Sequence, residues 1–441
     1  MAFFNPPRRP HELVALFTRT VLACGCVLTA LSFLPVSGSG SDLAIASTGR
    51  SCAKYASPKG SDSWPGSEEK PYATVQYLVD HLSTREIGCL FGGPYVGNLR
   101  TSIPHLALRS VSGQRARLLG YIWLRSGATE FALQDLDVDG HDVSPPTVQV
   151  NADGVTLSNL DITNRNKPGP SFTGICVLAG SNFEAEPANT ASNLTVSHTR
   201  IHNCGDDAHE HAIYLESTRN AHVVDSYLYD NPGFGVHMYP DAQKSLIEYN
   251  VIDGNSSRCK ANLTFSGEAA GGEYSEPHGS SMNVVRYSLI TNALCRYNVD
   301  SYYPLGSLSP EGNSVHDSCV WNAPLGNFGH RTTERGEIAY TQSDNLDTDP
   351  LYVDRAHKDF RLLPSSPCAG KGPRVSPECV VPRIIGLRLA LARKRVRRSG
   401  CSIGQVRSKR SRRHGRVLRQ NPRWGSVRAF RTRVHFVVGR R

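Results

Sequence analysis

His222-Val-Val-Asp-Ser-Tyr-Leu-Tyr-Asp-Asn231 is followed, 23 residues from start to start, by Ser245-Leu-Ile-Glu-Tyr-Asn-Val-Ile-Asp-Gly254. Each stretch places an aliphatic residue third, a large apolar residue eighth and a turn-forming residue tenth. The same row recurs on both sides, at 131–140, 155–164 and 194–203 before it and at 283–292 and 313–322 after it. The third column reads Leu133, Leu157, Val196, Val224, Ile247, Val285, Val315. The eighth reads Val138, Ile162, Ile201, Tyr229, Ile252, Ile290, Val320. Asn closes five rows and Gly two, and the starts are separated by 24, 39, 28, 23, 38 and 30 residues.

Such a row is a short strand, a bend and a second short strand ending on a residue that tolerates left-handed backbone. One row cannot bury its own apolar side, so successive rows must stack. A minimum repeat of 23 or 24 residues suits one coil of a parallel β-helix, and the longer spacings are coils with insertions. Coils about 4.8 Å apart make seven rows a rod of at least roughly 30 Å. The closing asparagines are expected to form a ladder along the rod, which is a structural role. A leucine-rich repeat needs denser leucines with an Asn inside the strand run, and a propeller needs longer, four-strand units.

On these rows the body, from Cys52 to about Gly372, resembles the secreted right-handed parallel β-helix proteins, the superfamily of pectate lyases and related polysaccharide enzymes. Its opening is similar to the N-terminal cap of that group: Tyr55-Ala-Ser-Pro-Lys-Gly-Ser-Asp-Ser63, then Pro65-Gly66 and Lys70-Pro-Tyr-Ala-Thr74. A helix at about 75–82 is expected to cover the open end of the solenoid. Asp349-Pro-Leu-Tyr-Val-Asp354, Asp359-Phe-Arg-Leu362 and Ser365-Ser-Pro367 are similar to its close. The expected fold is therefore mainly β: a right-handed parallel β-helix with an N-terminal helical cap and, at the C-terminus, a small second domain.

Net charge separates those two parts. The chain has 441 residues and a formal charge of +10, but residues 379–441 carry 20 Arg or Lys and no Asp or Glu, leaving 29 basic and 39 acidic residues elsewhere. An acidic body thus precedes a strongly basic tail. Arg8, Arg9 and Arg19 precede a mostly apolar run at 21–36 and then Ala44-Ile-Ala46, the layout of a secretory signal peptide cut after Ala46. An uncleaved anchor and a lipid-modified Cys24 are the alternatives, and sixteen residues are short for a span. The expected boundaries are 1–46 signal, 47–373 β-helix and 374–441 basic domain, in a secreted or cell-wall-associated protein with no span in the mature chain.

Ten of the twelve cysteines follow Ala46, an even number that in an exported chain indicates disulfides. Cys52–Cys89 and Cys379–Cys401 are expected as local pairs, and the remaining six allow fifteen connectivities. No Cys/His spacing of a zinc site is present.

Chemistry is expected on one outer face. Strand side chains alternate, so with Ile213, Leu215, Val236 and Met238 inside, Tyr214, Glu216, His237 and Tyr239 point out. Stacking then places Tyr214 over His237 and Glu216 over Tyr239. Asp206, Asp207, His209, Glu210 and His211 lie in the loop entering that face. Hydrolysis of a glycan needs two carboxylates, for which Asp206 or Asp207 with Glu210 or Glu216 are candidates. Gly205-Asp-Asp207 resembles the Gly-Asp-Asp of polygalacturonases, although no Asn-Thr-Asp or Arg-Ile-Lys follows. Uronate elimination or epimerisation needs a base, an acid and a neutraliser of the carboxylate. His237, His209 and Tyr239 are candidates for the first two roles, and Arg219 or a bound Ca²⁺ for the third, without a compact calcium loop in the sequence. Asp207-Ala-His-Glu210 loosely resembles the Asp-Pro-His-Asp or Asp-Pro-His-Glu of alginate epimerases, with Ala in place of Pro. The insertion 262–283 is expected to wall a groove with Glu268, Glu273, Glu276 and His278. The same face serves a non-catalytic carbohydrate-binding or structural surface protein, which is the alternative reading.

In the tail, Cys379-Val-Val-Pro382, Gly386, a helical run at 387–399 ending at Gly400, Gln420-Asn-Pro422 with Gly425, and Val434-His-Phe-Val-Val438 resemble a PASTA domain. The resemblance implies an αβββ module of cell-wall-linked proteins, some of which bind peptidoglycan. The arginines favour an anionic wall polymer or peptidoglycan as partner over nucleic acid, for which only Trp424, Phe430 and Phe436 offer aromatic rings.

Overall fold

Three parallel sheets wrap one lumen in the computed structural model. It describes residues 51–441 except 112–113, 143–144, 171, 181–189, 272–273, 332–337, 375–377, 400 and 430–431. The expected signal segment, 1–46, and Glu273 lie outside the described residues. Among the described residues the sheets hold eleven, ten and nine strands. The chain visits each sheet once per coil, so its pairing is parallel from coil to coil.

Stacked apolar side chains fill the lumen. In the eleven-stranded sheet Leu133, Leu157, Val196, Val223, Ile247, Val285 and Val315 lie directly over one another. In the nine-stranded sheet the column is Val138, Ile162, Ile201, Leu228, Ile252, Ile290, Val320. All are fully buried. The row predicted at 222–231 is therefore one residue late. Val223 and Leu228 face the lumen, whereas Val224 and Tyr229 face outward. A one-residue slip moves every side chain to the other side, and here both sides are apolar. Tyr229 is buried nonetheless, because the closing hairpin lays Phe360 against it, fixed by Cys319–Cys368.

An asparagine ladder is present, but only its first member, Asn231, stands at a predicted closing position; Asn255 is one residue past Gly254, and Asn262, Asn298 and Asn327 lie five to eight residues past the ends of their rows. Asn231, Asn255, Asn262 and Asn298 each pass an amide hydrogen to the next side-chain oxygen, ending on Asn327, at 2.7–2.9 Å. Between two predicted closing positions, only Asn322 to Asn292 forms such a rung among the described residues, at 2.8 Å. These amides satisfy backbone groups freed where the chain turns each corner.

Helix α1 (Val75–Asp80) starts at Thr74, whose hydroxyl accepts the N–H of Tyr77, and buries Val75, Leu78 and Val79 in the main core. Both local disulfides are present, and the middle six cysteines pair as Cys176–Cys204, Cys259–Cys295 and Cys319–Cys368.

Four strands of the ten-stranded sheet position the site: β1 (Ile213–Arg219), β2 (Val236–Gln243), β3 (Leu263–Glu268) and β4 (Val299–Tyr302). The tail has its own apolar cluster, in which Ala392 and Val396 of α2 (Leu389–Arg398) meet Val417, Val434, Phe436 and Val438. Strands β5 (Ser402–Arg410), β6 (Val417–Asn421) and β7 (Arg433–Arg440) form its sheet with β7 central. A further short strand, Glu378–Val380, pairs with Val427–Ala429, which the αβββ expectation lacks. Gln420 ties the Gln-Asn-Pro turn to the Val-Pro segment by bonds to Pro382 and Ile384. No described helix is long and apolar enough to cross a membrane.

Candidate functional site

β-Strand alternation sets out two columns of side chains outside the lumen. Tyr214, His237, Thr264 and Asp300 are in register along the first. The second holds Ser266 beside Tyr302, with Glu216 and Tyr239 in the coils before. Leu215 pairs Met238 and Ser217 pairs Asp241, so Tyr239 and Pro240 together face the single residue Glu216. A third column comes from the corner just before the strands: His211, Phe234, Lys260 and Arg296.

His237 is the centre. Its ring stacks on Tyr214 at 4.8 Å, Phe234 at 4.6 Å and Tyr239 at 5.3 Å, and His211 meets it edge-on at 4.6 Å. The residue is half-buried, and its Nδ1 is buried with no hydrogen-bond partner. Burial pushes its pKa well below the ordinary histidine value, and the neighbouring His211, Arg331 and Lys260 push the same way. His237 is therefore a neutral base at pH 7. His211 is fully buried and its Nδ1 accepts the N–H of Phe234 at 3.1 Å, so it is neutral with its proton on Nε2. Its pKa is also well lowered by burial.

Tyr214 does leave the lumen, but it is not solvated: Ile175 and Leu178 pack over it. Tyr239 donates to Glu268 at 2.6 Å. Glu268 belongs to β3 rather than to a free loop. Beyond it the insertion turns back as a hairpin, pairing Glu268 with His278. Tyr274 of that hairpin donates to Glu216 at 3.3 Å and meets Tyr239 edge-on at 6.4 Å. The insertion thus walls the face with Tyr274; Glu276 is exposed.

Three basic residues that the periodicity did not single out surround the stack. Arg331 lies over Phe234 at 5.5 Å and Tyr302 at 5.0 Å, and Lys260 lies over Phe234 at 5.9 Å. Arg296 and Arg331 approach Asp300 at 3.3 and 3.8 Å. Asp300 is fully buried, and burial outweighs both guanidiniums to raise its pKa. Burial, then Arg331 and Arg296, push Lys260 down to about 8. They come from corners and loops of unequal length, so no sequence period marks them.

The loop carboxylates have other duties. Glu210 is fully buried and accepts the backbone N–H groups of Gly174, Asp206 and Asp207 at 2.7–3.0 Å. Room for it exists because residues 174 and 205 are glycines. A Cβ at Gly205, whose φ is +77°, would lie 2.1 Å from a Glu210 oxygen. Glu210→Ala leaves those N–H groups buried and unpaired, and is expected to lower stability by about 1–3 kcal/mol. Thermal melting checks this, and an unchanged midpoint refutes it. Asp207 pairs with His209 at 2.9 Å on the exposed loop, where Phe172 contacts the His209 ring at 5.4 Å. Arg219 is held by Asp241 at 2.8 Å at the far end of β1, so the cations beside His237 are Lys260 and Arg331 instead.

For Ca²⁺ the donor set does not fit. Among the described residues no three His, Cys, Asp or Glu side chains converge to hold a metal. Glu268 is engaged by Tyr239, and Asp300 lies between two guanidiniums. No step is assigned to the ion.

A family model described as a right-handed β-helix region matches residues 137–298. Together with the stacked parallel strands, this makes the body a right-handed parallel β-helix. A pectate lyase structure shares 12% identity over 77% of this chain and 93% of that one, with a TM-score of 0.48. A lacto-N-biosidase of glycoside hydrolase family 136 from Eubacterium ramulus shares 12% over 67% of each chain, at 0.44. The A-module of the Azotobacter vinelandii mannuronan C-5 epimerase shares 12% over 62% of this chain and 71% of that one, at 0.41. Likenesses this distant carry nothing about chemistry. No curated protein sequence matches significantly.

Proposed function

We propose that the chain is an exported protein that acts on an acidic polysaccharide, abstracting the C5 proton of a uronate residue at His237. One observation carries this reading: a neutral imidazole stacked among Tyr214, Phe234 and Tyr239, with Lys260 and Arg331 gathered over the same Phe234 ring. The rings offer a stacking surface for sugars. Lys260 and Arg331 neutralise the uronate carboxylate, which acidifies C5 and stabilises the developing enolate. His237 takes the proton. In elimination the C4–O bond then breaks, C4=C5 forms, and the Tyr239 phenolic proton leaves its hydrogen bond to Glu268 and passes to the leaving oxygen. If the C4–O bond holds, a proton taken from water on the opposite face of C5 gives the epimer, and His237 releases the first proton to solvent.

The two-carboxylate hydrolase is less well supported, because Glu210 is spent on backbone N–H groups and Glu216 accepts from Tyr274. The alternative is a non-catalytic carbohydrate-binding rod, which draws on the same stacked rings. Incubating the protein with polyuronates and neutral glycans in deuterated water separates the two. Deuterium at C5 or a new double bond supports catalysis, and retention on a glycan column with neither supports the rod.

The pH profile follows from the two shifted groups. Burial holds His237 well below the ordinary histidine value, so it is unprotonated throughout the neutral range. Lys260 loses its charge above about 8. Turnover is expected to be flat near neutrality and to fall above pH 8. Lys260→Arg should carry the alkaline limb upward by more than one pH unit, and a limb that stays in place removes Lys260 from the carboxylate site.

The proposal has four further parts. The segment 1–46 directs export, and the even set of bridged cysteines supports an oxidising compartment. Helix α1 caps the solenoid, supported by its burial in the first coils' core. The boundaries near 47, 373 and 374 separate β-helix from tail, supported by the tail's separate apolar cluster. The tail is a PASTA-like module that holds the protein on peptidoglycan or an anionic wall polymer, supported by its twenty cationic side chains.

A further inference from the structure

The outward face of the tail sheet gathers charge in a way that its own chain does not balance. Along β7, Val434, Phe436 and Val438 are buried against α2, so Arg433, His435 and Val437 face away. Arg407 of β5 and Arg419 of β6 both pair with Val437, which puts them on that outward face on either side of the central strand. Two strand spacings separate their backbones, about 10 Å. Between them lies a cavity of about 450 Å³ lined also by Gln405, Asn421 and His435.

Its lining is rich in donors. Residues 379–441 contain no Asp or Glu. Two other arginines of the tail reach acids of the β-helix, Arg395 to Asp354 at 2.8 Å and Arg428 to Asp137 at 3.9 Å. Arg407 and Arg419 have no ion-pair partner among the described residues, and Arg407 donates only to the neutral Gln405 oxygen, at 3.0 Å. The N–H of Gln405 is accepted by His435 Nδ1 at 3.0 Å, which places the ring proton on Nε2. Lys409, two residues beyond Arg407, extends the same charge along β5. Holding like charges on one face costs Coulomb energy that an anion bridging two guanidiniums reverses.

We propose that this face, centred on Arg407, Arg419 and His435, is a binding site for the anionic groups of an acidic polysaccharide. The proposal rests on reading the basic tail as the part that holds an anionic polymer, and it assigns that hold to one site. A glycan is favoured over nucleic acid because the face lacks a stacking platform among the described residues. Phe436 is buried in the tail core, and Trp424 is turned toward His357 of the body, at 6.1 Å between rings.

The test uses the full chain carrying His237→Ala with Lys260→Ala, so that the body site neither consumes the probe nor keeps its full hold on the probe's carboxylates, and this chain is the reference for every tail variant. Binding of oligogalacturonate, a sulfated oligosaccharide, neutral dextran and a single-stranded oligonucleotide is measured at low and moderate salt. Arg407→Glu with Arg419→Glu is expected to weaken the acidic oligosaccharides tenfold or more and to flatten the salt dependence, with the melting temperature unchanged because both side chains are exposed. Arg407→Lys with Arg419→Lys should keep most of the affinity. Arg412→Glu with Arg413→Glu is the comparison pair. If it weakens binding as much, the charge is diffuse and the site falls while the holding role stands. If neither pair matters, the holding role falls too. Oligonucleotide binding as tight as that of an oligosaccharide of equal charge also overturns the proposal.

Discussion

His237→Ala loses turnover by about 10²–10⁴-fold, the usual contribution of a positioned general base, while glycan binding stays within a few-fold. The two effects separate because the imidazole packs against the neighbouring rings without a hydrogen bond at Nδ1 on which another group depends. Its Nδ1 is already unpartnered, so its removal strands no donor or acceptor. The proposed sugar-binding surface keeps Phe234, Tyr214 and Tyr239, and the proposed carboxylate partners Lys260 and Arg331 are untouched. His237→Asn, which keeps a polar group of similar reach, should be as inactive with a wild-type melting curve. That variant guards against misreading a folding defect as lost chemistry. Turnover within threefold of wild type in both variants would remove the base from His237 and leave the stacked rings as a binding surface only.

Leu228→Ala is the largest expected stability loss, about 2–5 kcal/mol, because a fully buried lumen side chain leaves a cavity that stacked coils cannot close. Leu228 lies between Ile201 and Ile252 in adjacent coils, and both would lose contact. Val224→Ala should cost far less, since Val224 faces outward and belongs to none of the apolar clusters. Denaturant melts of the two variants decide the register directly. Equal losses, or a larger loss at Val224, would restore the one-residue-later alignment that the sequence alone suggested.

That alignment shows where reading a solenoid from sequence stops. Val223-Val224 and Leu228-Tyr229 offer two apolar candidates for each lumen position, so hydrophobicity cannot choose between them. The decision lies in vertical contacts: Val223 completes an aliphatic column, while Tyr229 finds Phe360 outside. Tyr214 over His237 was legible because alternation within a strand and stacking between coils are both short-range rules. Lys260 and Arg331 were not legible, because they reach Phe234 from a corner and a loop whose lengths obey no period. Nor was Glu210, which looked like chemistry until Gly174 and Gly205 left space for its carboxylate to bond the backbone.

By itself, the sequence determined that this chain coils repeatedly into stacked short strands, that an acidic body precedes a basic tail, and which side chains of two adjacent coils share a face. These follow from local periodicity and charge counts, which any stretch of chain carries within itself. Tertiary structure alone decided how the middle six cysteines pair, which of two neighbouring apolar residues enters the lumen, and which cations converge on His237. Those outcomes depend on distances between segments far apart in the chain, set by how insertions of different length fold back over the coils.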